Sequence, residues 1–274
     1  MRTIDIEATA IGQFRRKGWA KLEGIFDEDE VETLGRVLDH AIANPPDLEA
    51  QFGLSKEELA AKDPIAQDDE SYSQILKAYR DLRRIYPELD AIITSPRMGD
   101  IGRALLGVDH VQLYAESFLI KPPEVEGSRP TPWHQDWPLV PFDRRDCFNL
   151  WIAVSDVGPD DGPIQVVPGS HRLGSFGVQD FAEDTDFHSL LRDEDLELIE
   201  PVETVTLRAG DAVAFQSLTL HHADINRSKR ERRAYQTFWI GSEVCYTGMP
   251  NMKTDGLGLQ PGKPFDPDRF PLVS

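Results

Sequence analysis

Short runs typical of β-strands fill the second part of the chain, and this feature constrains its fold most. From residue 110 onward, β-branched and aromatic segments alternate with Gly, Pro and Asp. The segments are HVQLYAESFLIKPP, FNLWIAVSDV, PIQVVPGSH, PVETVTLRAGDAVAFQSLTLHHADI and RAYQTFWIG. Because no long helical pattern separates these runs, they predict an antiparallel barrel or double sheet and not a βαβ fold.

The first 110 residues predict mainly helices. The segment DEDEVETLGRVLDHAIANPP has acidic residues in its first turn, periodic apolar residues and a Pro-Pro stop. Further helices are predicted between residues 71 and 107, broken at Pro87 and Pro96. The polar stretch between residues 47 and 72 predicts a short helix and a surface loop.

Composition excludes several classes of protein. Of the 274 residues, 40% are hydrophobic and 9% aromatic, which argues against extensive disorder. The formal net charge of −19 argues against nucleic-acid and anionic-membrane partners. The chain has only two cysteines, Cys147 and Cys245, so we expect no disulfide framework. We therefore expect the protein to work in a reducing compartment. No signal peptide or membrane span is apparent, so we expect a cytoplasmic protein.

The stretch TPWHQDWPLV places a histidine and a carboxylate two residues apart. On a strand, His134 and Asp136 would project to one side while Gln135 points away. A third metal ligand could come from His171, His188, His221 or His222, the comparable histidines of the strand-rich part. His221 and His222 are predicted to end an apolar strand, a rigid place from which to aim a ligand.

Two histidines and one carboxylate on one face of an ion match the facial arrangement of non-haem Fe(II) oxygenases. The HxD pair alone is weak evidence, since a core histidine bonded to an aspartate gives the same pattern. Two further classes stay open: a zinc hydrolase or isomerase with the same ligands, and a non-catalytic small-molecule-binding barrel.

The chain resembles the phytanoyl-CoA dioxygenase family of Fe(II)/2-oxoglutarate enzymes. The matching segments are FRRKGWAKLEGIFDEDEVETL, LYAESFLIKPP, WHQD, LWIAVSDVGPDDGPIQVVPGSH, AGDAVAFQSLTLHH and NRSKRERRA, in the family's order and approximate spacing over residues 10 to 240. The resemblance implies a fold that is mainly β with N-terminal helices, a double-stranded β-helix or cupin-like jelly roll. We predict one domain over residues 1–274, with a mainly helical part at 1–109, a jelly-roll core at 110–245 and a tail at 246–274.

The resemblance also implies roles for single residues. His134, Asp136 and His221 would bind the iron, with His222 as the alternative third ligand. Arg232 would hold the distal carboxylate of 2-oxoglutarate, and Trp151 would pack beside this co-substrate. A serine that many members have two residues after the distal histidine is replaced here by Ala223.

The implied activity is an Fe(II)-, 2-oxoglutarate- and O2-dependent dioxygenase that releases succinate and CO2. Hydroxylation of a small metabolite or natural product is the expected outcome, with desaturation or ring formation as alternatives. The sequence leaves both the substrate and the oligomeric state open.

Overall fold

A computed structural model describes residues 8–44, 75–178 and 186–273 of the protein. The helix and loop predicted between residues 47 and 72 lie outside these ranges. The division into one domain with three parts stays a prediction.

Four helices occur in the described part of the N-terminal segment. They are α1 (Ala8–Lys17), α2 (Glu28–Ala43), α3 (Pro87–Ile93) and α4 (Pro96–Leu106). A capping box between Asp27 and Glu30 starts α2, because each side chain bonds the other's backbone N–H. Proline at the first position starts both α3 and α4, and Gly107 in the left-handed conformation (φ 73°) ends α4.

A seven-stranded sheet, which we call the major sheet, is antiparallel. Its order is β1-β8-β5-β10-β3-β11, with β2 also paired to β3. The strands are β1 (Trp19–Leu22), β2 (Lys77–Arg80), β3 (Val111–Lys121), β5 (Cys147–Ala153), β8 (Ala212–Gln216), β10 (Arg232–Gly241) and β11 (Leu272–Val273). Two strands of this sheet, β1 and β2, come from the part predicted as mainly helical.

A four-stranded sheet, the minor sheet, faces it with the order β4-β9-β6-β7. Its strands are β4 (Thr131–His134), β6 (Ile164–Val166), β7 (Glu203–Val205) and β9 (His221–Ala223), all three or four residues long. The curled antiparallel sheets, with few helices, confirm the predicted jelly-roll fold.

Two apolar clusters lie on opposite faces of the major sheet. One face packs on the helices through residues such as Leu34, Phe118 and Tyr235. The other face packs toward the minor sheet through Trp151, Val166 and others. Alternating side chains of β3, β5 and β10 therefore either support the helices or face the interior between the sheets.

The structure corrects one detail of the strand prediction. The apolar run from Ala212 to His222 is not one strand: β8 ends at Gln216, and β9 begins at His221 in the other sheet. His221 and His222 thus begin a short strand and do not end a long one. Within the described ranges, no helix is long and apolar enough to cross a membrane.

Candidate metal centre

Three predicted ligands meet between the sheets. One ligand atom from each of His134, Asp136 and His221 lies within 4.8 Å of the others. Nε2 of His134 is 3.8 Å from Oδ1 of Asp136, and Nε2 of His221 is 3.8 Å from Oδ2 of Asp136. Direct pairing of β4 with β9 places His134 opposite His221, so the two rings share one face of the minor sheet. Two nitrogens and one oxygen this close can hold a single cation.

Asp136 reaches the cluster differently from the prediction. The strand β4 ends at His134, and Asp136 has helical backbone angles at the start of a 3-10 turn (Trp137–Leu139). The alternation rule of a strand therefore does not explain its position. Gln135 does point away, as predicted: its amide donates to Gly174 O and Leu218 O and accepts from Phe176 N.

Asn149 on β5 holds the Asp136 carboxylate from behind. The buried Asn149 side-chain amide donates to Asp136 Oδ2, and its own Oδ1 accepts a 2.8 Å bond from Gln236 Nε2. This amide chain was not predicted, because Asn149 and Gln236 look like ordinary strand residues in the sequence. The sequence gives one indication of their role: both lie on predicted strands, where an inward-facing side chain could reach the HxD motif.

Hydrogen bonds fix the orientation of both histidine rings. Nδ1 of His134 donates to Pro132 O at 2.8 Å, and Nδ1 of His221 donates to Thr219 O at 3.0 Å. Because a carbonyl oxygen only accepts, each Nδ1 carries the proton and each Nε2 presents a lone pair toward Asp136.

Burial sets the protonation of the cluster. It lowers the pKa of His134 to about 3, helped by the nearby His221, and lowers the pKa of His221 to about 4. Burial raises the pKa of Asp136, although His134 and the Asn149 bond oppose this shift. Both rings are therefore neutral in the free protein, which is the form that binds a metal.

His222 lies outside the three-residue cluster. Its ring stacks on Trp133 with 5.0 Å between ring centroids, as expected for the neighbouring residue of a strand. His171, another candidate third ligand from the sequence, lies in the 3-10 turn Ser170–Arg172 and is not part of the cluster.

A cavity of about 200 Å3 opens beside the cluster. Arg232, with 3% of its surface exposed, and Trp151 both line it. The Arg232 guanidinium carbon lies 5.0 Å from the centre of the Trp151 ring, and Nη1 donates to Gly162 O. Among the described residues, the buried Arg232 Nε has no hydrogen-bond partner. An unpaired buried donor beside a pocket suits an anionic ligand.

The other arginines of the predicted basic segment serve elsewhere. Arg230 pairs with Asp161 at 2.9 Å, and Arg233, on the opposite face of β10, pairs with Asp39 at 2.7 Å. Gly162, whose carbonyl accepts the Arg232 bond, has a left-handed backbone (φ 66°). A Cβ at this position would lie 2.7 Å from Asp224 O and 2.9 Å from Lys121 Cδ, so glycine is required on both grounds.

Lys121 is buried although its sequence context suggests otherwise. Because it ends a strand just before Pro122-Pro123, it could face solvent as judged from the sequence. It is instead fully buried, and its ammonium donates to Arg129 O (2.8 Å), Ile75 O and Thr131 Oγ1. Burial and the nearby Arg232 lower the pKa of Lys121 to about 6. A second basic side chain thus lies near the Arg232 end of the cavity.

From the sequence, the aromatic residues around the HxD motif could either line the substrate pocket or pack in the core, and they do not line the cavity. Trp133 packs on Phe187, while Trp137 and Phe142 join a cluster around Tyr114. The cavity lining instead includes Leu76, Ala78, Arg80, Ser117, Leu139 and Gln236. The sequence did not reveal this lining because β2, which contributes part of it, was predicted to be helical.

Comparison with known proteins agrees with the geometry. The profile of the family described as phytanoyl-CoA dioxygenase (PhyH) matches residues 14–234. The chain is 24% identical over 232 residues to a probable alpha-ketoglutarate-dependent hypophosphite dioxygenase of Stutzerimonas stutzeri, covering 81% of this chain and 74% of the relative. It is 27% identical over 193 residues to an ectoine dioxygenase of Sphingopyxis alaskensis, covering 69% of this chain and 58% of the relative.

Solved structures show the same fold. The crystal structure of the epimerase SnoN in complex with Fe3+, alpha ketoglutarate and nogalamycin RO aligns with a TM-score of 0.74 and 25% identity, over 97% of this chain and 98% of that chain. The non-haem alpha ketoglutarate-dependent carbocyclase SnoK aligns with a TM-score of 0.75 and 23% identity, over 98% and 97% of the two chains.

The fold and the site together define a non-haem iron dioxygenase that uses 2-oxoglutarate, the compound also called α-ketoglutarate. The chain belongs to the phytanoyl-CoA dioxygenase family.

Proposed function

We propose that His134, Asp136 and His221 bind the catalytic Fe(II) and that the enzyme hydroxylates a small molecule in the adjoining cavity. The observation that carries this assignment is the meeting of two Nε2 atoms and one carboxylate within 4.8 Å, at the wall of a cavity that also contains a buried arginine. The donor set fits a ferrous ion, since imidazole and carboxylate are its usual ligands in such enzymes.

Arg232 and Trp151 provide the proposed co-substrate site. The guanidinium would hold the distal carboxylate of 2-oxoglutarate, and the Trp151 ring would pack beside its carbon chain. Burial lowers the pKa of Arg232 only to about 10, so the guanidinium is charged near neutral pH. Its Nε, which lacks a partner among the described residues, is a donor available to the anion.

Bound Fe(II) supplies the reduction of O2 that is coupled to decarboxylation of 2-oxoglutarate. The protein's own residues orient and protect this chemistry. Carbonyl bonds at Nδ1 hold the two histidine rings, and Asn149 holds Asp136. Apolar side chains around the ligands, including Phe215 at 4.5 Å from the His221 ring centre, exclude water from the site.

Hydroxylation is the proposed outcome because it needs no further group from the protein. Relatives differ in outcome: they include dioxygenases named for ectoine and hypophosphite, a carbocyclase and an epimerase. These names support a small-molecule substrate and leave ring formation and desaturation as alternatives within the same chemistry.

Succinate formation tests the proposal. Purified protein with Fe(II), 2-oxoglutarate and O2 should release succinate, faster when a substrate is present, and zinc should not replace iron. Anaerobic addition of Fe(II) and 2-oxoglutarate should also give a metal-to-ligand absorption band. A protein that forms neither the band nor succinate would instead be the non-catalytic or zinc-dependent barrel considered from the sequence.

We also infer that the enzyme acts in the cytoplasm without nucleic-acid or membrane partners. The support is the net charge of −19 together with two cysteines that are both free.

A further inference from the structure

Two buried basic side chains, Lys121 and Arg232, lie side by side at one end of the cavity. The two residues are direct partners across β3 and β10, so their side chains point to the same face of the major sheet. Both are buried, and like charges directly opposite each other on a sheet are destabilising. An anion between them would relieve this repulsion, and so would loss of a proton from Lys121, since an arginine keeps its proton.

The surroundings of the Lys121 amine suit it with or without the extra proton. Two backbone carbonyls accept from Nζ, Arg129 O at 2.8 Å and Ile75 O at 3.3 Å, and Thr131 Oγ1 lies at 3.3 Å. A carbonyl oxygen only accepts, whereas a hydroxyl can donate or accept. An ammonium therefore donates to all three groups. A neutral amine donates to the two carbonyls and accepts from the Thr131 hydroxyl, so each form has its hydrogen bonds satisfied.

The charged groups around Lys121 favour the neutral amine in the free protein. Burial lowers the pKa of Lys121 to about 6 together with the charge of Arg232, and Asp224 only partly opposes this shift. Asp224 pairs with Arg227 at 2.7 Å, so its charge is shared with a surface partner. The elements around Lys121 carry these titratable or charged residues: Lys77 and Arg80 on β2, Arg129 before β4, Asp161 before β6, His222 on β9, Asp224 after β9, and Arg232 on β10.

A dicarboxylate bound at Arg232 would change this balance. Under the proposed function, the distal carboxylate of 2-oxoglutarate lies against the Arg232 guanidinium. A negative charge at this place offsets the charge of Arg232 and therefore favours the ammonium form of Lys121. Carboxylic acids are ionised above about pH 6, so the co-substrate brings no proton of its own and the proton comes from solvent.

We propose that Lys121 is a second cation of the co-substrate site and that it takes up a proton from solvent when 2-oxoglutarate binds. Its three hydrogen-bond partners are protein atoms, so Lys121 acts on the co-substrate through its charge beside Arg232 and is a positioning residue. The inference rests on the proposed function, because it assumes that 2-oxoglutarate binds at Arg232.

Proton uptake makes the co-substrate affinity depend on pH. The pKa of Lys121 is about 6 in the free protein and rises when the anion binds. The gain in affinity is therefore fully present below about pH 6 and is lost as the pH rises through the higher pKa of the loaded protein. We expect the dissociation constant of 2-oxoglutarate to be roughly tenfold higher at pH 8 than at pH 6.

Isothermal titration calorimetry counts the protons. The full chain is loaded anaerobically with Fe(II) and titrated with 2-oxoglutarate at pH 7, in buffers that differ in ionisation enthalpy. Wild type should take up between about half a proton and one proton for each 2-oxoglutarate bound. 2-Oxobutyrate has the same chelating end but no distal carboxylate, and it should bind without proton uptake. Lys121→Met should bind 2-oxoglutarate without uptake and should lose the pH dependence.

Two control variants should keep the wild-type uptake. Lys77→Met is the same substitution on β2, at a residue that pairs with Ile120 on the helical side of the major sheet. His222→Gln removes another titratable residue that lines the cavity.

Three results would overturn the proposal. They are wild-type binding of 2-oxoglutarate without proton uptake, equal uptake with 2-oxobutyrate, and uptake that survives in Lys121→Met or disappears in His222→Gln. The comparison of the two ligands in wild type decides the question even if Lys121→Met does not fold. A wild-type protein that forms no absorption band with Fe(II) and 2-oxoglutarate would instead contradict the proposed function.

Discussion

The two sheets contribute different chemistry through strands of different length. The minor sheet supplies His134 and His221 from strands of four and three residues, respectively. The major sheet supplies Asn149, Arg232 and Gln236 from strands of seven and ten residues. The short strands place the two histidines of the proposed metal centre. The long strands place Asn149, which bonds to Asp136, and Arg232, the proposed anion-binding group.

The difference in strand length corresponds to a difference in the role of each sheet at the site. The short strand β4 ends at His134, so the turn that follows it can bring Asp136 beside His134. Long, continuously paired strands form a rigid wall on which a guanidinium and two amides keep fixed positions. We therefore expect substitutions at the metal cluster to abolish iron binding. Substitutions on the major sheet should only partly weaken anion binding or iron affinity.

The largest effect is expected for Asp136→Ala. Removing one of three protein ligands should weaken Fe(II) at least a hundredfold and abolish coupled succinate release, since changes next to a ligand alone cost 10–100-fold. Anaerobic iron titration and a turnover assay measure both effects. Asp160→Ala, which removes an exposed carboxylate, is the control and should behave as wild type. Wild-type turnover by Asp136→Ala with Fe(II) alone would refute the assignment.

The adjacent histidines should differ sharply. His221→Ala should lose iron about as strongly as Asp136→Ala, whereas His222→Ala removes a ring stacked on Trp133 and should keep iron affinity within a few-fold. Iron titration of both variants decides between them. A loss confined to His222→Ala would make His222 the third ligand.

Arg232→Ala should weaken the co-substrate and leave the metal in place. Removing the charged partner of a buried carboxylate costs about 2–5 kcal/mol. At about 1.4 kcal/mol per decade, the dissociation constant of 2-oxoglutarate should rise at least tenfold. Arg233→Ala, on the face of β10 that packs on the helices and away from the cavity, is the matched control and should change it little. Equal 2-oxoglutarate affinity in Arg232→Ala and wild type would place the co-substrate elsewhere.

Asn149→Ala should have a smaller effect that connects the two sheets. Without its amide donor, Asp136 loses the bond that orients its carboxylate, so iron affinity should fall roughly tenfold to a hundredfold. Gln135→Ala is the control: this amide is equally buried but bonds to Gly174 and Leu218, so its loss should lower thermal stability and not the iron affinity of the folded protein. Unchanged iron affinity in Asn149→Ala would contradict the orienting role.

The smallest functional effect is expected for Glu116→Gln, on the helical face of the major sheet. Burial raises the pKa of Glu116 to about 7, mainly by desolvation with help from Asp81. An acid whose pKa is higher in the folded state stabilises the fold at low pH, and this stability is lost as the pH rises from about 4.5 through 7. The variant should flatten that slope without changing iron or 2-oxoglutarate binding.

Thermal unfolding at several pH values measures the slope. Glu88→Gln, an exposed residue of α3, is the control and should keep the wild-type dependence. A wild-type slope retained in Glu116→Gln would show that other groups cause the dependence.

The sequence predicted the jelly roll and the metal cluster because both have local signatures. Alternating runs predict strands, and the HxD pair together with the family resemblance predicts three ligands that the structure brings together. Arg232 and Trp151, predicted from the same resemblance, both line the cavity.

The remaining features depend on pairing between distant strands. Asn149 and Gln236 meet because β5 and β10 are neighbours, and Arg80 reaches the cavity because β2 pairs with β3. No local pattern encodes these contacts. Lys121 looked like a strand-end lysine facing solvent, yet backbone carbonyls from separate segments surround its ammonium. Such positions follow from tertiary packing and not from periodicity.

One anaerobic titration tests the division of tasks between the sheets most directly. Iron affinity and 2-oxoglutarate affinity are measured separately in wild type, Asp136→Ala and Arg232→Ala. We predict that Asp136→Ala loses iron and with it the absorption band, while Arg232→Ala binds iron like wild type and needs at least tenfold more 2-oxoglutarate to form the band. Loss of iron in Arg232→Ala to the same degree, or an unaltered band in Asp136→Ala, would contradict the account.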